Sequence, residues 1–261
     1  MSGRLQGKVA MITGAAQGLG SAHLIRLAEE GAALVAIDRQ SPEAAPFAEG
    51  IAKARAAGAT VLAYAADVTD LAALEQIAEA AGSELGGIDI LVANAGIFPA
   101  PGPITEMRPE DWAATLAVNL TGTWNAVRAA LPQMRKRGGG GAIILTSSPY
   151  GLKGIAGGAH YAASKHGVVG LMRSLALELG AESIRVNTVH PTTVDTPLLR
   201  AVLPEGASEA ERAAAVDGFN VLPVPWIEPG EVSNAIVFLA SDEGRFITGV
   251  TLPIDAGALV K

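Results

Sequence analysis

The sequence predicts an α/β fold: a doubly wound, parallel, seven-stranded sheet with helices on both faces. Three observations predict it. Short apolar runs alternate with stretches of helical periodicity along the whole chain. The apolar runs are near-continuous rather than alternating with polar residues, as in parallel strands covered on both faces. The first run is followed at once by a glycine-rich turn that opens into a helix. A length of 261 residues is ordinary for one such sheet. No linker or internal repeat is visible, so residues 1–261 are expected to form one domain that carries both cofactor and catalytic residues.

Taken in order, the first strand is expected at Val9–Thr13, an unbroken apolar run, with a helix over Leu19–Glu30 behind its glycines. Leu34–Asp38 follows as the second strand, then an Ala-rich helix at Ala44–Ala57 and a third strand at Val61–Ala66. An amphipathic helix at Leu71–Leu85 leads to the strand Ile88–Ala93. Pro109, suited to a first helical turn, opens a long helix that closes on the cations Arg135, Lys136 and Arg137. Gly138–Gly141 reads as the turn into the strand Ala142–Ser147. A helix at His160–Leu179, the strand Arg185–Val189, a helix at Pro229–Ala240 and the strand Val250–Ile254 complete the set, joined by right-handed crossovers. Residues 198–228 are irregular and proline-bearing; a connection that long reads as a substrate lid.

Composition excludes several classes. Hydrophobic residues make up 49% of the chain, Ala and Gly dominate and aromatics are scarce, which suits helices packed closely on a sheet. The net charge is −7 with no basic stripe, so no nucleic-acid partner is expected. There is no cysteine, which removes disulfides and thiolate chemistry. His23, His160, His166 and His190 form no ligand-like cluster with carboxylates, and no metal is expected. No apolar run reaches the roughly 18 to 20 residues of a membrane span, and Met1–Lys8 lacks the apolar core of a signal peptide. A soluble, cytoplasmic enzyme with a small-molecule substrate is expected.

The turn Thr13-Gly14-Ala15-Ala16-Gln17-Gly18-Leu19-Gly20 has the spacing Gly-x3-Gly-x-Gly. Glycines let the backbone approach a pyrophosphate, while the helix N-terminus offers unpaired N–H groups and partial positive charge. Asp38 ends the second strand, where its carboxylate accepts from adenosine ribose hydroxyls. It also repels a 2′-phosphate, by about 4 kcal/mol per charge pair at 4 Å and an effective dielectric near 20. Gln17 offers such a phosphate no cation; Arg39 does. NAD is therefore favoured over NADP in a Rossmann-type site. Asp67, in Ala66-Asp67-Val68, is a second carboxylate at the adenine side, with a helix N-cap as its alternative role.

Tyr161 and Lys165 lie four apart at the start of a helix and share a face. An ammonium beside a phenol favours phenolate and lowers its pKa, which is how a tyrosine becomes a general base. Ser148 ends a strand shortly before, Asn119 is a polar amide in an apolar helical run, and Asn94 follows the fourth strand in Ala93-Asn94-Ala95-Gly96.

Together these motifs resemble the short-chain dehydrogenases/reductases over essentially the whole chain: the TGAAQGLG turn, ANAG, Asn119, Ser148 with Tyr161-x3-Lys165, and Ile247-Thr248-Gly249 with Asp255-Ala256-Gly257. The resemblance implies that Tyr161 takes the alcohol proton, Lys165 binds the nicotinamide ribose, Ser148 stabilises the substrate oxygen and Asn119 positions a water that links Lys165 to solvent. It also implies that Val194 meets the carboxamide through its backbone with Thr196 assisting. Gly14, Gln17, Gly18, Leu19, Gly20, Asp38, Arg39, Asp67, Val68, Asn94, Ala95, Gly96 and Pro191 would complete the cofactor site, in a homotetramer. Two departures stand out: Ala93 replaces the usual Asn before Asn94, and Thr192 replaces the usual Gly after Pro191.

Val189-His190-Pro191-Thr192 and the Asn220–Pro229 stretch are similar to the carveol dehydrogenase branch, which acts on cyclic terpenoid alcohols and in part holds NAD tightly in a mycofactocin-dependent way. Phe98, Pro149, Tyr150, Ile155, His160 and Trp226 are the expected substrate-pocket residues, and the lid residues Phe219, Leu222 and Trp226 favour an apolar substrate. Two rivals remain: a non-catalytic NAD sensor, which needs none of Asn119, Ser148, Tyr161 or Lys165, and an NADPH-dependent ketoreductase of acyl carriers, against which Asp38 argues.

Overall fold

The computed structural model describes residues 3–99, 101–201 and 203–261. Seven parallel strands form one sheet in the order β3-β2-β1-β4-β5-β6-β7: β1 Val9–Thr13, β2 Ala33–Asp38, β3 Val61–Ala65, β4 Ile90–Ala93, β5 Gly141–Thr146, β6 Ile184–Pro191 and β7 Thr251–Ile254. The helices are α1 Gly18–Glu29, α2 Phe47–Ala56, α3 Leu71–Leu85, α4 Pro109–Leu116, α5 Gly122–Arg137, α6 Ala159–Leu179, α7 Pro197–Arg200, α8 Glu209–Ala215 and α9 Pro229–Ala240.

Strand periodicity of two divides the core. Ala10, Ile12, Leu34 and Ile144 face α1, α2 and α9 on one side. Met11, Ile37, Leu91 and Ile143 face α3, α5 and α6 on the other. Both faces are apolar, which is why these strands read as continuous runs. The order reverses between β1 and β4, and there the carboxyl ends of the strands diverge to leave a crevice.

Local signals fix the ends. Asp70 caps α3 by accepting from the Ala73 N–H at 3.0 Å, and α3 stops at Gly86 in the left-handed region. Gly138, Gly139 and Gly140 all adopt positive φ, 72°, 81° and 87°, in the turn into β5, which other residues take only under strain.

One expected helix is not continuous. Pro109–Arg137 is broken by a π-helical turn at Ala117–Thr121, centred on Asn119. The extra residue per turn swings the Asn119 amide inward. Its Oδ1 accepts from the Ile97 N–H at 2.8 Å, and its Nδ2 donates to the Ile97 carbonyl at 3.0 Å and to Ser164 Oγ at 3.1 Å. The segment 198–228 also holds the short helix α8, whose capping box joins Ser208 and Glu211.

Candidate active site

A cavity of about 760 Å³ opens at the carboxyl edge of the sheet, above the β1/β4 switch point. The glycine turn forms its floor. Gly14 and Gly18 have positive φ, 67° and 56°. A Cβ on Gly14 would meet the Ala95 Cα at 2.8 Å, and one on Gly20 would lie 1.8 Å from the Gly14 carbonyl oxygen. Gly14, Gln17, Gly18 and Leu19 therefore line the cavity with bare backbone, whereas Gly20 lies beneath it as a packing glycine. Gln17 puts no side-chain cap on α1, so the N–H groups of its first turn point to the cavity without an intrahelical partner.

Asn94 braces this turn from β4. Its Nδ2 donates to the carbonyls of Thr13 and Gly14, both at 3.2 Å. Asp38 is buried, with Oδ2 accepting from the Ala16 N–H and Oδ1 from the Gln40 N–H, each at 3.0 Å. A carboxylate has about four acceptor sites, so two remain for ligand hydroxyls. Arg39 is exposed on the rim. Asp67 also lies on the rim and caps no helix; the Thr69 N–H and hydroxyl, and then Arg39, hold its carboxyl below the usual range. Val68, Ala95 and Gly96 complete the near wall. The bare glycine backbone, the open α1 N-terminus and the spare Asp38 acceptors fit a dinucleotide with free ribose hydroxyls.

At the far end the reacting-group candidates converge. Tyr161 and Lys165 project from the first turns of α6 and are 8% and 3% exposed. Ser148, just past β5, lines the cavity with Tyr161, and its Oγ accepts from the Tyr150 N–H at 3.3 Å. Burial pushes the Tyr161 phenol up to about 12, with the Ser148 hydroxyl pulling it back in part. Burial pushes Lys165 down to about 8. Lys165 stands beside the Tyr161 ring as a positive charge, with its own hydrogen bond on the backbone. Its ammonium lies 5.6 Å from the Tyr161 ring centre and donates to the carbonyl of Thr146 at 2.8 Å.

Asn119 is fully buried and does not reach the cavity wall; its side-chain amide is taken up by Ile97 and Ser164. A water held by that side chain would have to displace one of these bonds. Removing the amide would leave the half-buried N–H and C=O of Ile97 without their partner, at up to about 1–3 kcal/mol each.

Phe98, Pro149, Tyr150 and Ile155 form the expected substrate wall, with the Phe98 and Tyr161 rings 4.6 Å apart. Two expected pocket residues do not line it. His160 is buried behind Phe98, with Nε2 on the Pro99 carbonyl at 3.0 Å. It precedes Tyr161 by one residue, about 100° around the helix, so it faces the wall's other side. Trp226 is half-buried and packs beyond the part of the 198–228 segment that borders the cavity. Leu199, Leu203, Val216 and Phe219 from that segment line it instead, and Phe219 meets Tyr150 edge-on at 6.3 Å.

Pro191, Val194 and Thr196 close the roof. Thr196 sits over Gly18, where a Cβ would come within 3.3 Å of it. Val194 pairs with Ile227 as a short parallel bridge. Thr192, in place of the usual glycine, donates from Oγ1 to Asn220 Oδ1 at 2.8 Å, and the Asn220 amide donates to the Val224 carbonyl at 2.8 Å. Sequence reading also missed Lys153, a cation on the substrate wall whose ammonium donates to the Ala258 carbonyl. Its place between Ser148 and Tyr161 was the available signal.

A profile of the family described as enoyl-(acyl carrier protein) reductase matches residues 14–258. (−)-trans-Carveol dehydrogenase of Rhodococcus erythropolis is 41% identical, with 99% of each chain covered; that alignment spans 275 positions, so the relative carries insertions that this 261-residue chain lacks. Trans-4-hydroxycyclohexanecarboxylate dehydrogenase of Sinomonas cyclohexanicum is 39% identical, covering 98% of this chain and 95% of its own. The crystal structure of carveol dehydrogenase from Mycobacterium avium in complex with NAD matches with a TM-score of 0.95 at 40% identity, over 99% of this chain and 100% of that one. With the parallel sheet, the glycine turn and the Ser148, Tyr161 and Lys165 cluster at one cavity, these matches establish that the chain belongs to the short-chain dehydrogenase/reductase family.

Proposed function

We propose that this chain is an NAD-dependent alcohol dehydrogenase and ketone reductase that acts on an apolar, cyclic, terpenoid-like secondary alcohol. The observation that carries the reading is the meeting of Ser148, Tyr161 and Lys165 at one end of a cavity whose other end presents Asp38 and the open N-terminus of α1. Gly14, Gly18 and Leu19 would hold the pyrophosphate, Asp38 the adenosine ribose, Lys165 the second ribose, and Val194 with Thr196 the carboxamide. When bound, the nicotinamide dinucleotide supplies the two-electron acceptor or donor for the carbinol carbon.

The chain's own residues handle the proton. Ser148 Oγ donates to the substrate oxygen and stabilises its developing charge. Tyr161 Oη takes the hydroxyl proton during oxidation and returns it during reduction. Lys165 supplies the local positive charge, fixed by the Thr146 carbonyl. Phe98, Tyr150, Ile155 and Phe219 exclude water and favour an apolar ring, and the relatives named for carveol and for trans-4-hydroxycyclohexanecarboxylate support a ring-borne hydroxyl.

One domain would serve both roles, with 198–228 as the lid. Exposed Trp112 on α4, Trp124 on α5 and Phe246, 88% exposed, offer apolar contacts for a homotetramer. The enzyme would be cytoplasmic; no helix among the described residues is long and apolar enough to cross a membrane.

The test is a panel of cyclic and open-chain secondary alcohols assayed with NAD and with NADP. NAD-linked oxidation of cyclic alcohols is expected. Acyl-carrier ketone reduction with NADPH alone would overturn the reading, and tight NAD binding without turnover of any alcohol would favour a sensor.

A further inference from the structure

His190 carries an unassigned role. It sits at the end of β6, is fully buried, and lines no part of the cavity. Its Nδ1 lies 2.6 Å from the Ser148 carbonyl oxygen, and its Nε2 lies 2.8 Å from Thr188 Oγ1. A carbonyl only accepts, so Nδ1 bears the proton and Nε2 accepts from the Thr188 hydroxyl. Burial lowers the basicity of the ring, which keeps it in this neutral form. Lys165 and His166 oppose its protonation and Asp255 favours it.

The reason for an imidazole here lies in the end of the ladder. The last rung between β5 and β6 is the Ser147 N–H on the Val189 carbonyl at 2.9 Å. In this parallel register the next two donors would be the N–H groups of residues 191 and 149. Both are prolines and have none. Ser148 therefore stands where the strands have lost their backbone bonding, held within its own turn by the Gly151 N–H, 2.9 Å from the Ser148 carbonyl, and by the Tyr150 N–H on its Oγ. Beside this gap the His190 side chain ties β6 to the next carbonyl along, that of Ser148.

We propose that His190 is a positioning residue for the reaction: by tying the two strands together where two prolines delete the β5–β6 rungs, it fixes the Ser148 backbone and so aims the Ser148 hydroxyl at the substrate oxygen. The inference rests on the role proposed above for Ser148. Loose anchoring at this point would let Oγ wander by a fraction of an ångström or more. Displacements near 1 Å cost up to roughly 100-fold in rate.

The test compares His190→Leu, which deletes the donor, with His190→Asn, whose amide can reach the same carbonyl. It uses the wild-type chain and Ser148→Ala as backgrounds. His190→Leu is expected to lower kcat for alcohol oxidation by about 10- to 100-fold, with the Kd for NADH, read by its fluorescence, unchanged within about two-fold. His190→Asn should recover most of kcat. In the Ser148→Ala background, His190→Leu should add almost nothing, because its effect passes through that hydroxyl. Undiminished kcat in His190→Leu, equal losses in both His190 variants, or a full-sized loss on top of Ser148→Ala would overturn the proposal. A wild-type chain that turns over no secondary alcohol would overturn the reading of the whole site, and this inference with it. Should His190→Leu fail to fold, His190→Phe, which keeps a ring but no donor, takes its place in the two backgrounds: undiminished kcat, or a loss that persists in full without the Ser148 hydroxyl, refutes positioning.

Discussion

The Lys165 ammonium is anchored on the carbonyl oxygen of Thr146, 2.8 Å away, and not on the hydroxyl of Tyr161. Lysine thus acts on the phenol as a fixed charge beside it, tied to the end of β5. Ammonium has three donors, so this bond leaves two free for ribose hydroxyls.

Tyr161→Phe is expected to retain NADH binding and to lose about 10² to 10⁴ in turnover, the usual value of a general base. Steady-state kinetics with a fluorescence titration of NADH checks both halves. Turnover close to that of the wild-type chain would remove Tyr161 from the mechanism.

The pH profile follows from the two buried groups. Oxidation needs phenolate at Tyr161 and ammonium at Lys165. With the phenol near 12 and the ammonium near 8, the phenolate fraction rises tenfold per pH unit while Lys165 stays charged. Above pH 8 the loss of ammonium offsets that gain. Log kcat for oxidation should therefore climb with unit slope to about pH 8 and then level. Ketone reduction, which needs neutral phenol, should be flat below pH 8 and fall above it. An oxidation optimum below pH 7 would contradict this.

Asp38→Ser is expected to shift preference toward NADP by roughly one to three decades, because it removes a charge facing the 2′-position and leaves Arg39 at the rim. It should also cost about 1–3 kcal/mol of stability, since the buried Ala16 N–H loses its acceptor. Ratios of kcat/KM for the two cofactors, with urea melts alongside, measure both. A wild-type chain that already prefers NADP would refute the role of Asp38.

NAD should exchange freely. Only eight residues, 39–46, join Asp38 to the start of α2 at Phe47, and Ser41 and Glu43 bind each other within that turn. So short a connection cannot close over an adenosine. Added NAD is expected to support many turnovers of a cyclic alcohol, with NADH forming in proportion to substrate consumed. Cofactor that survives dialysis, with activity only when an external electron acceptor is supplied, would show the opposite.

His23 should set the acid limb of stability. It is fully buried between α1 and α9, with Nδ1 on Ser233 Oγ at 2.8 Å, and burial lowers its pKa to about 3. The unfolded chain binds its proton near pH 6.5, the folded chain only near 3. The stability it contributes is complete above pH 6.5 and drains away as pH falls, by about 1.4 kcal/mol per pH unit. His23→Gln should flatten the dependence between pH 6.5 and 5 in urea titrations. An unchanged slope would place the acid sensitivity elsewhere.

Much of the fold was legible because both sheet faces are buried, so each strand announces itself as an apolar run. Leu71–Leu85 and Pro229–Ala240 emerged with the expected bounds for the same reason, helped by an Asp cap and a first-turn proline. The π-turn at Asn119 was not legible. One extra residue barely disturbs hydrophobic periodicity, and the cause, a bond to both backbone groups of Ile97, is tertiary. Nor could the sequence reveal the partner of Lys165, because a backbone carbonyl has no residue signature. His160 and Trp226 show a further limit: nearness in sequence to a reacting group says little about which way a side chain points.

The bond between Thr192 and Asn220 sets a rule for building chimeras. It joins the end of β6 to the middle of the 198–228 segment through two side chains that lie 28 residues apart. A segment transplanted from a relative with glycine after its proline would arrive without its fastener, and a host lacking Asn220 would leave the Thr192 hydroxyl buried and unbonded. Specificity swaps in this protein should therefore move Thr192 and Asn220 together, as one heritable unit that spans two separate stretches of the gene.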